Sequence, residues 1–365
     1  MNKEYIRFLR WCLQPSEQRP DVSKINWTNL LSFARKQCIV GIYWLGIEKL
    51  GDVDNKPNET EIMSWMEDVI KIKRQGQLLD RKVVELCRHF KDEGYEYCIL
   101  KGQTNNRFYP EPYCRTPGDI DIWVNSTRKE LLKVILSKYD NTIVCYHHLE
   151  YPYFKDTSVE AHIYPTFSTN PINNYRIQKF FASEAKRQMR NTIPLSIGQE
   201  TVGLTDDVNI LYQLMHMHRH MCEEGLGLRQ LIDYFFLIKG SSLSVKDRER
   251  LVRRIKRFHL TKFAKGILYL LHTQLGMDKK YLFLPEDDKE GEYLLIQILQ
   301  GGNFGKYNEI VQGYKKSPHW QRFPRRIAFF LSKWRHDPYE ILWQPLFLSV
   351  NWFMQQLYKR RYNLH

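Results

Sequence analysis

Two aspartates, Asp119 and Asp121, stand two positions apart in the segment Gly118-Asp-Ile-Asp-Ile-Trp-Val124. On a strand, successive side chains point to opposite faces, so both carboxylates share one face while the aliphatic residues between them enter a core. Gly118 has no side chain and lets a ligand or a second backbone approach closely. Paired carboxylates on a rigid strand suit divalent cations in phosphoryl or nucleotidyl transfer. The alternative interpretation is a solvated acidic strand end.

A third carboxylate is predicted from a second alternating segment, Val159-Glu-Ala-His-Ile163, in which Glu160 and His162 share one face. If this strand lies beside the first, Glu160 completes a cluster with Asp119 and Asp121. Three carboxylates can hold two Mg²⁺ ions, one that activates an attacking hydroxyl and one that neutralises a triphosphate leaving group. Taken alone, Glu160 would be interpreted as a surface carboxylate.

Phosphate contacts are predicted at Lys101-Gly102, where a short strand ends and a helix is expected to begin. A cation and the first amides of a helix both favour an anion at such a place. Lys101 is the predicted triphosphate contact, and Gly102 permits close backbone approach. Arg115 is a further candidate donor to phosphate oxygens, and the alternative is that it pairs with the aspartates.

Two other pairs are open to more than one interpretation. His216 and His220 lie one helical turn apart and could bind zinc, although packing or hydrogen bonding is favoured because no His-Glu-x-x-His pattern is present. Arg229 and Asp233 form an i, i+4 pair that would stabilise a helix. A second hypothesis places His220 and Arg229 over the candidate cleft, in contact with a nucleotide or an acceptor.

The elements that must position these residues follow from periodicity and turn signals. Residues 76–164 are predicted to alternate helices and strands, whereas residues 1–50, 61–92 and most of the chain after Asp206 are predicted to be helical. The expected class is α+β, a mixed sheet with helices, flanked by an N-terminal helical segment and a larger C-terminal helical region. We predict three domains, at residues 1–75, 76–200 and 201–365. The expected strands of the middle domain are 95–100 and 119–124, followed by two or three strands in the segments 142–146, 151–154 and 158–164.

The composition of the chain indicates which kinds of partner and which cellular compartment to expect. The 365 residues carry a net charge of +14 and a pI near 9.3, which favours polyanionic partners. The 7 cysteines form no Cys-x-x-Cys pair and are interpreted as buried small hydrophobic residues of a reduced, cytoplasmic protein. The N-terminus lacks the apolar stretch of a signal peptide, and no long apolar run predicts a spanning helix. The aromatic segment 342–354 is expected to pack on the core, and peripheral contact with a membrane is the alternative.

Four segments together resemble a known family: Leu100-Lys-Gly-Gln-Thr, Tyr109-Pro-Glu-Pro, Arg115 to Val124, and Glu160-Ala-His. They are similar to the uncharacterised bacterial nucleotidyltransferase family of the DNA polymerase beta-like superfamily. The histidine helix around His216, the segment Leu226-Gly-Leu-Arg229, and Gly302-Asn-Phe-Gly305 add to the resemblance.

The resemblance implies the minimal nucleotidyltransferase fold, with Asp119 and Asp121 as the metal-binding pair and Glu160 as the third carboxylate. Lys101-Gly102 stands where more distant members carry Gly-Gly or Gly-Ser. The implied activity is Mg²⁺-dependent transfer of a nucleoside monophosphate from an NTP, such as ATP, to a hydroxyl of an acceptor: a small molecule, a protein or an RNA. Two alternatives stay open, a nucleotide-binding regulatory protein on the same fold with little catalysis, and a membrane-surface or RNA-binding adaptor.

Overall fold

The N-terminal part of the chain is helical, as its sequence predicts. The computed structural model describes residues 3–14, 18–308, 312–313, 319–334 and 336–364. A capping box between Asn58 and Glu61 begins the longest helix, and Gly94, at a φ of +79°, follows its end. The first four helices are α1 (Lys3–Leu13), α2 (Trp27–Gln37), α3 (Val40–Ile47) and α4 (Glu59–Asp92).

A mixed four-stranded sheet forms the centre of the middle region, and it confirms the α+β class. In spatial order the strands are β1, β2, β4 and β3; β1 is antiparallel to β2, β2 is parallel to β4, and β4 is antiparallel to β3. The helix α5 (Arg128–Leu136) begins the crossover between the two parallel strands. The strands are β1 (Tyr97–Ile99), β2 (Ile120–Val124), β3 (His148–Glu150) and β4 (Val159–His162).

The alternation of β2 gives each of its faces a different environment. Ile120, Ile122 and Val124 are buried in a core shared with α4 and α5. On the opposite face, Trp123 packs edge-on against Phe181, with ring centroids 5.9 Å apart. Burial of both faces fixes the register, because a slip of one residue would move the carboxylates into the hydrophobic core.

Two predicted strands are wrong. Residues 142–146 make only one isolated bridge, between Val144 and Leu149, and the strand that follows is His148–Glu150. Residues 151–154 form a turn in which the Tyr153 amide donates to the Tyr151 carbonyl at 2.7 Å. Pro152 has no amide hydrogen and cannot donate to a strand ladder. The neighbouring predictions for 95–100, 119–124 and 158–164 are confirmed in position, with shorter bounds.

Helices dominate the chain after the sheet. A helix that the pattern did not predict, α6 (Pro171–Gln188), precedes the hairpin β5 (Thr192–Pro194) and β6 (Glu200–Val202). The main C-terminal helices are α7 (Asp206–Glu223), α8 (Leu228–Gly240), α9 (Val245–Arg257), α10 (Thr261–Tyr269, continued by a π-helical turn over Leu270–Gln274) and α11 (Asp288–Gly301). Three more follow: α12 (His319–Ser332), α13 (Pro338–Ile341) and α14 (Gln344–Tyr362).

The larger hydrophobic core joins the N-terminal and C-terminal helices. Phe8 of α1, Cys98 of β1 and Tyr212 of α7 all belong to it. The division into three domains stays a prediction. The tail packs on the body on one side only: Phe347 of α14 stacks on Phe167 at 4.9 Å, while Leu346, Val350, Trp352, Phe353 and Leu357 are exposed.

Cysteine burial agrees with the sequence in part. All seven side chains are free thiols, and five are buried, whereas Cys38 and Cys145 are partly exposed, contrary to the expectation. Within the described ranges, no helix is long and apolar enough to cross a membrane.

Candidate active site

Asp119 and Asp121 lie at the start of β2, where the strand leaves its preceding loop. The Asp121 side chain is 1% exposed and that of Asp119 is 34% exposed. Lys101, which follows β1, lies between them: its Nζ is 3.2 Å from Asp119 Oδ1 and 2.5 Å from Asp121 Oδ2. The Leu100 amide donates to the Asp121 carbonyl at 3.0 Å, so strand pairing places the lysine opposite the aspartates.

These carboxylates stabilise the protonated form of Lys101. Burial on its own lowers the pKa of a lysine, but the nearby Asp119 and Asp121 more than reverse this and raise the pKa of Lys101 above its usual value. Gly102, at a φ of +75°, lets the chain turn past the Asp119 carbonyl. The segment that follows is a 3₁₀-helix (Gly102–Phe108) of 7 residues, so the expected α-helix N-terminus is absent here.

Glu160 is brought to the aspartates by the parallel pairing of β2 and β4. Asp121 and Glu160 are register partners, and Trp123 pairs with His162. One donor atom each of Asp121, Glu160 and His162 lies within 4.8 Å of the others. The structure therefore places Glu160 beside Asp121, while Asp119 is not in this group of donor atoms.

His162 supplies a second buried cation. Its Nε2 lies 3.0 Å from Asp121 Oδ1 and 3.3 Å from Glu160 Oε2, and its Nδ1 is 3.3 Å from the Tyr164 carbonyl. Because both nitrogens face acceptors, the ring carries two protons. Burial alone would lower the pKa of His162, but hydrogen bonds to Asp121 and Glu160 raise it. Burial on its own would raise the pKa of Glu160, but His162 and His148 lower it below its usual value.

A second group of polar side chains supports Glu160, and the sequence pattern missed it. His148 Nδ1 lies 3.4 Å from Glu160 Oε2 and 3.1 Å from His147 Nε2. Arg219 on α7 approaches the same His147 nitrogen at 3.1 Å. The signal that could have found His148 is its alternation with Glu150 on β3, which places both beside the face of β4 that carries Glu160 and His162.

Arg115 does not pair with the aspartates of β2. Its guanidinium binds Asp233 of α8 in a bidentate pair, with Nε–Oδ1 at 2.7 Å and Nη2–Oδ2 at 2.9 Å. Tyr109 also donates to Asp233. Arg115 Nη1 is buried and has no hydrogen-bond partner among the described residues. The arginine is thus oriented by α8 and retains one free edge.

Arg229 takes a different partner from the predicted helix contact. Instead of pairing with Asp233, it donates from Nη1 to the Thr116 carbonyl at 3.3 Å. Its guanidinium lies against the backbone of Gly118, where an added Cβ would be 3.3 Å from Nη1. Gly118 therefore leaves room for a buried arginine directly before the aspartates, and the cleft hypothesis for Arg229 agrees with this position.

A small cavity of about 20 Å³ lies beside Lys101 and is lined by Arg115, Arg229, His216 and Phe304, among others. The Phe304 ring packs on His220 at 4.6 Å and lies 5.5 Å from the Arg229 guanidinium. The cavity is large enough for about one water molecule. The glycine-flanked loop that carries Phe304 therefore closes this side of the site.

His216 and His220 contact each other through Nε2 atoms 3.0 Å apart. Burial, followed by their mutual repulsion, lowers the pKa of His216 well below its usual value. In the part of the chain that the structure describes, no third metal-binding side chain joins this pair. The packing interpretation of the two histidines agrees with the geometry.

The donor set fits a divalent cation. Asp121 Oδ2 is buried and accepts no hydrogen bond of good geometry, although the Lys101 ammonium lies beside it. Carboxylate oxygens are the ligands of Mg²⁺ and Mn²⁺, and an imidazole is tolerated better by Mn²⁺. Asp119, Asp121 and Glu160 are the residues that would hold such an ion, with His162 adjacent.

The fold and the site together define the class of protein. It is an α+β chain in which the neighbouring parallel strands β2 and β4 bring acidic side chains together. The comparison with family models then assigns the family. A model described as an uncharacterised nucleotidyltransferase matches residues 23–276, which is most of the chain, and the chain belongs to that family. No curated protein and no solved structure matches it.

Proposed function

We propose that the protein is a Mg²⁺-dependent nucleotidyltransferase that moves an NMP from an NTP to a hydroxyl group of an acceptor. The observation that carries the proposal is the clustering of Asp121 with Glu160, and of Asp119 with Asp121 around the Lys101 ammonium, where Lys101 and His162 compensate the carboxylates. Membership of a nucleotidyltransferase family supports the same reaction class.

Asp119 and Asp121 would bind both ions, and Glu160 would assist the ion next to the acceptor hydroxyl. Bound divalent cations supply charge neutralisation for the triphosphate and lower the pKa of the attacking hydroxyl. His148 and His162 hold Glu160 in its orientation through contacts of 3.4 Å and 3.3 Å.

Lys101 has two roles in this proposal. In the metal-free protein its ammonium compensates the aspartates. With an ion on the aspartates, the long side chain would be available to contact the triphosphate, and Gly102 would permit the phosphates to approach the backbone. The free Nη1 edge of Arg115 is a second donor to the phosphates, and Asp233 fixes its direction.

The C-terminal helices form the acceptor side. Helix α7 brings Arg219 and His216 to the site, and α8 brings Arg229 against Gly118. These groups are cationic or polar, which suits an acceptor or a nucleotide with negative charge.

The test is incubation of the purified chain with each of the four NTPs, labelled in the α-phosphate, together with Mg²⁺ and a cell extract. The proposal expects label on an acceptor, and loss of labelling in Asp119→Ala/Asp121→Ala. Glu96→Gln is the matched control, since Glu96 is an exposed carboxylate near the opposite end of β2, bound to Asn125. Nucleotide binding without any labelled product would favour a regulatory protein on the same fold. Equal labelling by the double variant would contradict the metal-site assignment.

A further inference from the structure

A second cluster of metal-binding side chains lies outside the candidate active site. His218 and Cys222 are one turn apart on α7, and Asp337 precedes α13. One donor atom from each lies within 4.8 Å of the others. The cluster brings together an imidazole, a thiol and a carboxylate, the three donor types that Zn²⁺ uses in proteins.

The spacing of the donors is close to that of a tetrahedral site. Cys222 Sγ is 3.9 Å from His218 Nε2, and His218 Nε2 contacts Asp337 Oδ2 directly. Bonds of about 2.0 Å to nitrogen and oxygen and about 2.3 Å to sulfur separate tetrahedral donors by roughly 3.3–3.5 Å. A thiol that moves inward by a few tenths of an ångström, and a carboxylate that turns outward, would produce this arrangement.

The cluster also opens onto a cavity, which gives room for a fourth ligand. A space of about 60 Å³ is lined by His218, Cys222 and Asp337 on one side, and by Glu290 and His336 among others. His336 Nδ1 lies 3.2 Å from Glu290 Oε2. His336 is held in this way, and a water molecule in the cavity can complete the coordination.

The ion pair between His218 and Asp337 can account for the positions of these two side chains without a metal. Cys222 is 4% exposed, packs in a hydrophobic cluster with Phe329, Phe330 and Ile341, and presents its sulfur to the same imidazole nitrogen. Two lysines line the same cavity: the Lys333 ammonium donates to the Met221 carbonyl, and Lys262 pairs with Glu290 at 3.2 Å. A buried thiol aimed at a His–Asp pair is what a mixed nitrogen, sulfur and oxygen site requires.

We propose that His218, Cys222 and Asp337 bind one transition-metal ion of the Zn²⁺ type. Mg²⁺ is disfavoured at this position, because it prefers oxygen ligands alone. Binding deprotonates the Cys222 thiol and the His218 imidazolium and releases the protons to solvent. The ion joins α7, which also carries Arg219 and His216, to the C-terminal segment and fixes the position of the last helices.

The test is a titration of the metal-free full chain with Co²⁺, followed by optical absorption. We expect one equivalent to give tetrahedral cobalt bands with a thiolate-to-cobalt charge-transfer band, which Zn²⁺ then displaces. The proposed metal ligands of the candidate active site are carboxylates, and Co²⁺ bound there would not give a thiolate band. Absence of the band in the unaltered chain would overturn the proposal, whatever the behaviour of any variant.

Three variants test the assignment of the ligands. Cys222→Ser should abolish the thiolate band, whereas Cys87→Ser should keep it, because the buried Cys87 thiol lies beside the Thr201 hydroxyl and belongs to none of the metal-binding groups of the described residues. His218→Gln should weaken Co²⁺ binding at least about 10-fold, the lower limit seen when even outer-shell partners are removed. A thiolate band that survives in Cys222→Ser would also refute the site.

Discussion

The replacement of Lys101 by Met tests whether this lysine occupies the position of a metal ion. The substitution keeps the length of the side chain and removes a cation whose Nζ lies 2.5 Å from the buried Asp121 and 3.2 Å from Asp119. Removal of one partner from a buried ion pair costs about 3–5 kcal/mol. Because His162 still contacts Asp121 at 3.0 Å, we expect the lower end, about 3 kcal/mol.

This free energy can be converted into a melting temperature. For 365 residues, an unfolding entropy of about 2.1 cal/mol/K per residue gives about 0.8 kcal/mol/K. The metal-free Lys101→Met variant should therefore melt about 4 °C below the unaltered chain. A divalent cation that binds Asp119 and Asp121 would restore the lost compensation, so Mn²⁺ should raise the melting temperature of the variant more than that of the unaltered chain.

The assay is thermal unfolding in a chelator and in Mn²⁺, with Lys138→Met as the control. Lys138 pairs with Glu93 at 2.5 Å but is 40% exposed, and such a surface pair contributes about 0–1 kcal/mol. An equal Mn²⁺ effect on Lys101→Met and the unaltered chain would refute the reasoning, since it would mean that the lysine and the metal do not compete for the same oxygens.

Two further predictions concern the supports of the site. Asp233→Asn should destabilise the chain by about 3–5 kcal/mol at pH 7, because it breaks the bidentate pair with Arg115. Burial on its own would raise the pKa of Asp233, but Arg115 lowers it. The stabilisation by the pair is therefore present at neutral pH and is lost as the pH falls below about 4. Urea unfolding should show the free energies of unfolding of the two proteins converging at low pH, and a constant difference would contradict the pair. Gly225→Ala should cost about 1–3 kcal/mol, because its Cβ would lie 2.8 Å from Gly305 Cα in the loop that carries the closing phenylalanine. Gly198→Ala is the matched control, since Gly198 also has a positive φ, of +76°, but open space surrounds its added Cβ, and equal destabilisation of both variants would argue against the close approach.

The core of the candidate site could be predicted because strand alternation is a local property. Ile120, Ile122 and Val124 require one buried face, and this requirement alone places Asp121 on the other face. The same reasoning placed Glu160, and the parallel register that joins it to Asp121 agrees with the expectation.

The supporting residues depend on contacts between distant parts of the chain, which no local pattern reveals. Arg115 pairs with Asp233, 118 positions later, and not with the aspartates four and six residues away. Arg219 reaches His147 from a helix that follows the sheet. Tyr151 and Tyr153, on either side of Pro152, have high strand propensity and favour a strand, but in the structure they lie in a turn and pack against His89 of α4.

The central claim is that Asp119, Asp121 and Glu160 hold a divalent cation to which an NTP binds. Its most direct test is Mn²⁺ binding, measured by the loss of the free-ion electron paramagnetic resonance signal, with and without a non-hydrolysable NTP. We predict that the unaltered chain and Glu96→Gln bind Mn²⁺ more tightly when the NTP is present, and that Asp121→Asn and Glu160→Gln lose this binding. Unchanged Mn²⁺ binding in both carboxylate variants, each shown to be folded by circular dichroism, would contradict the account.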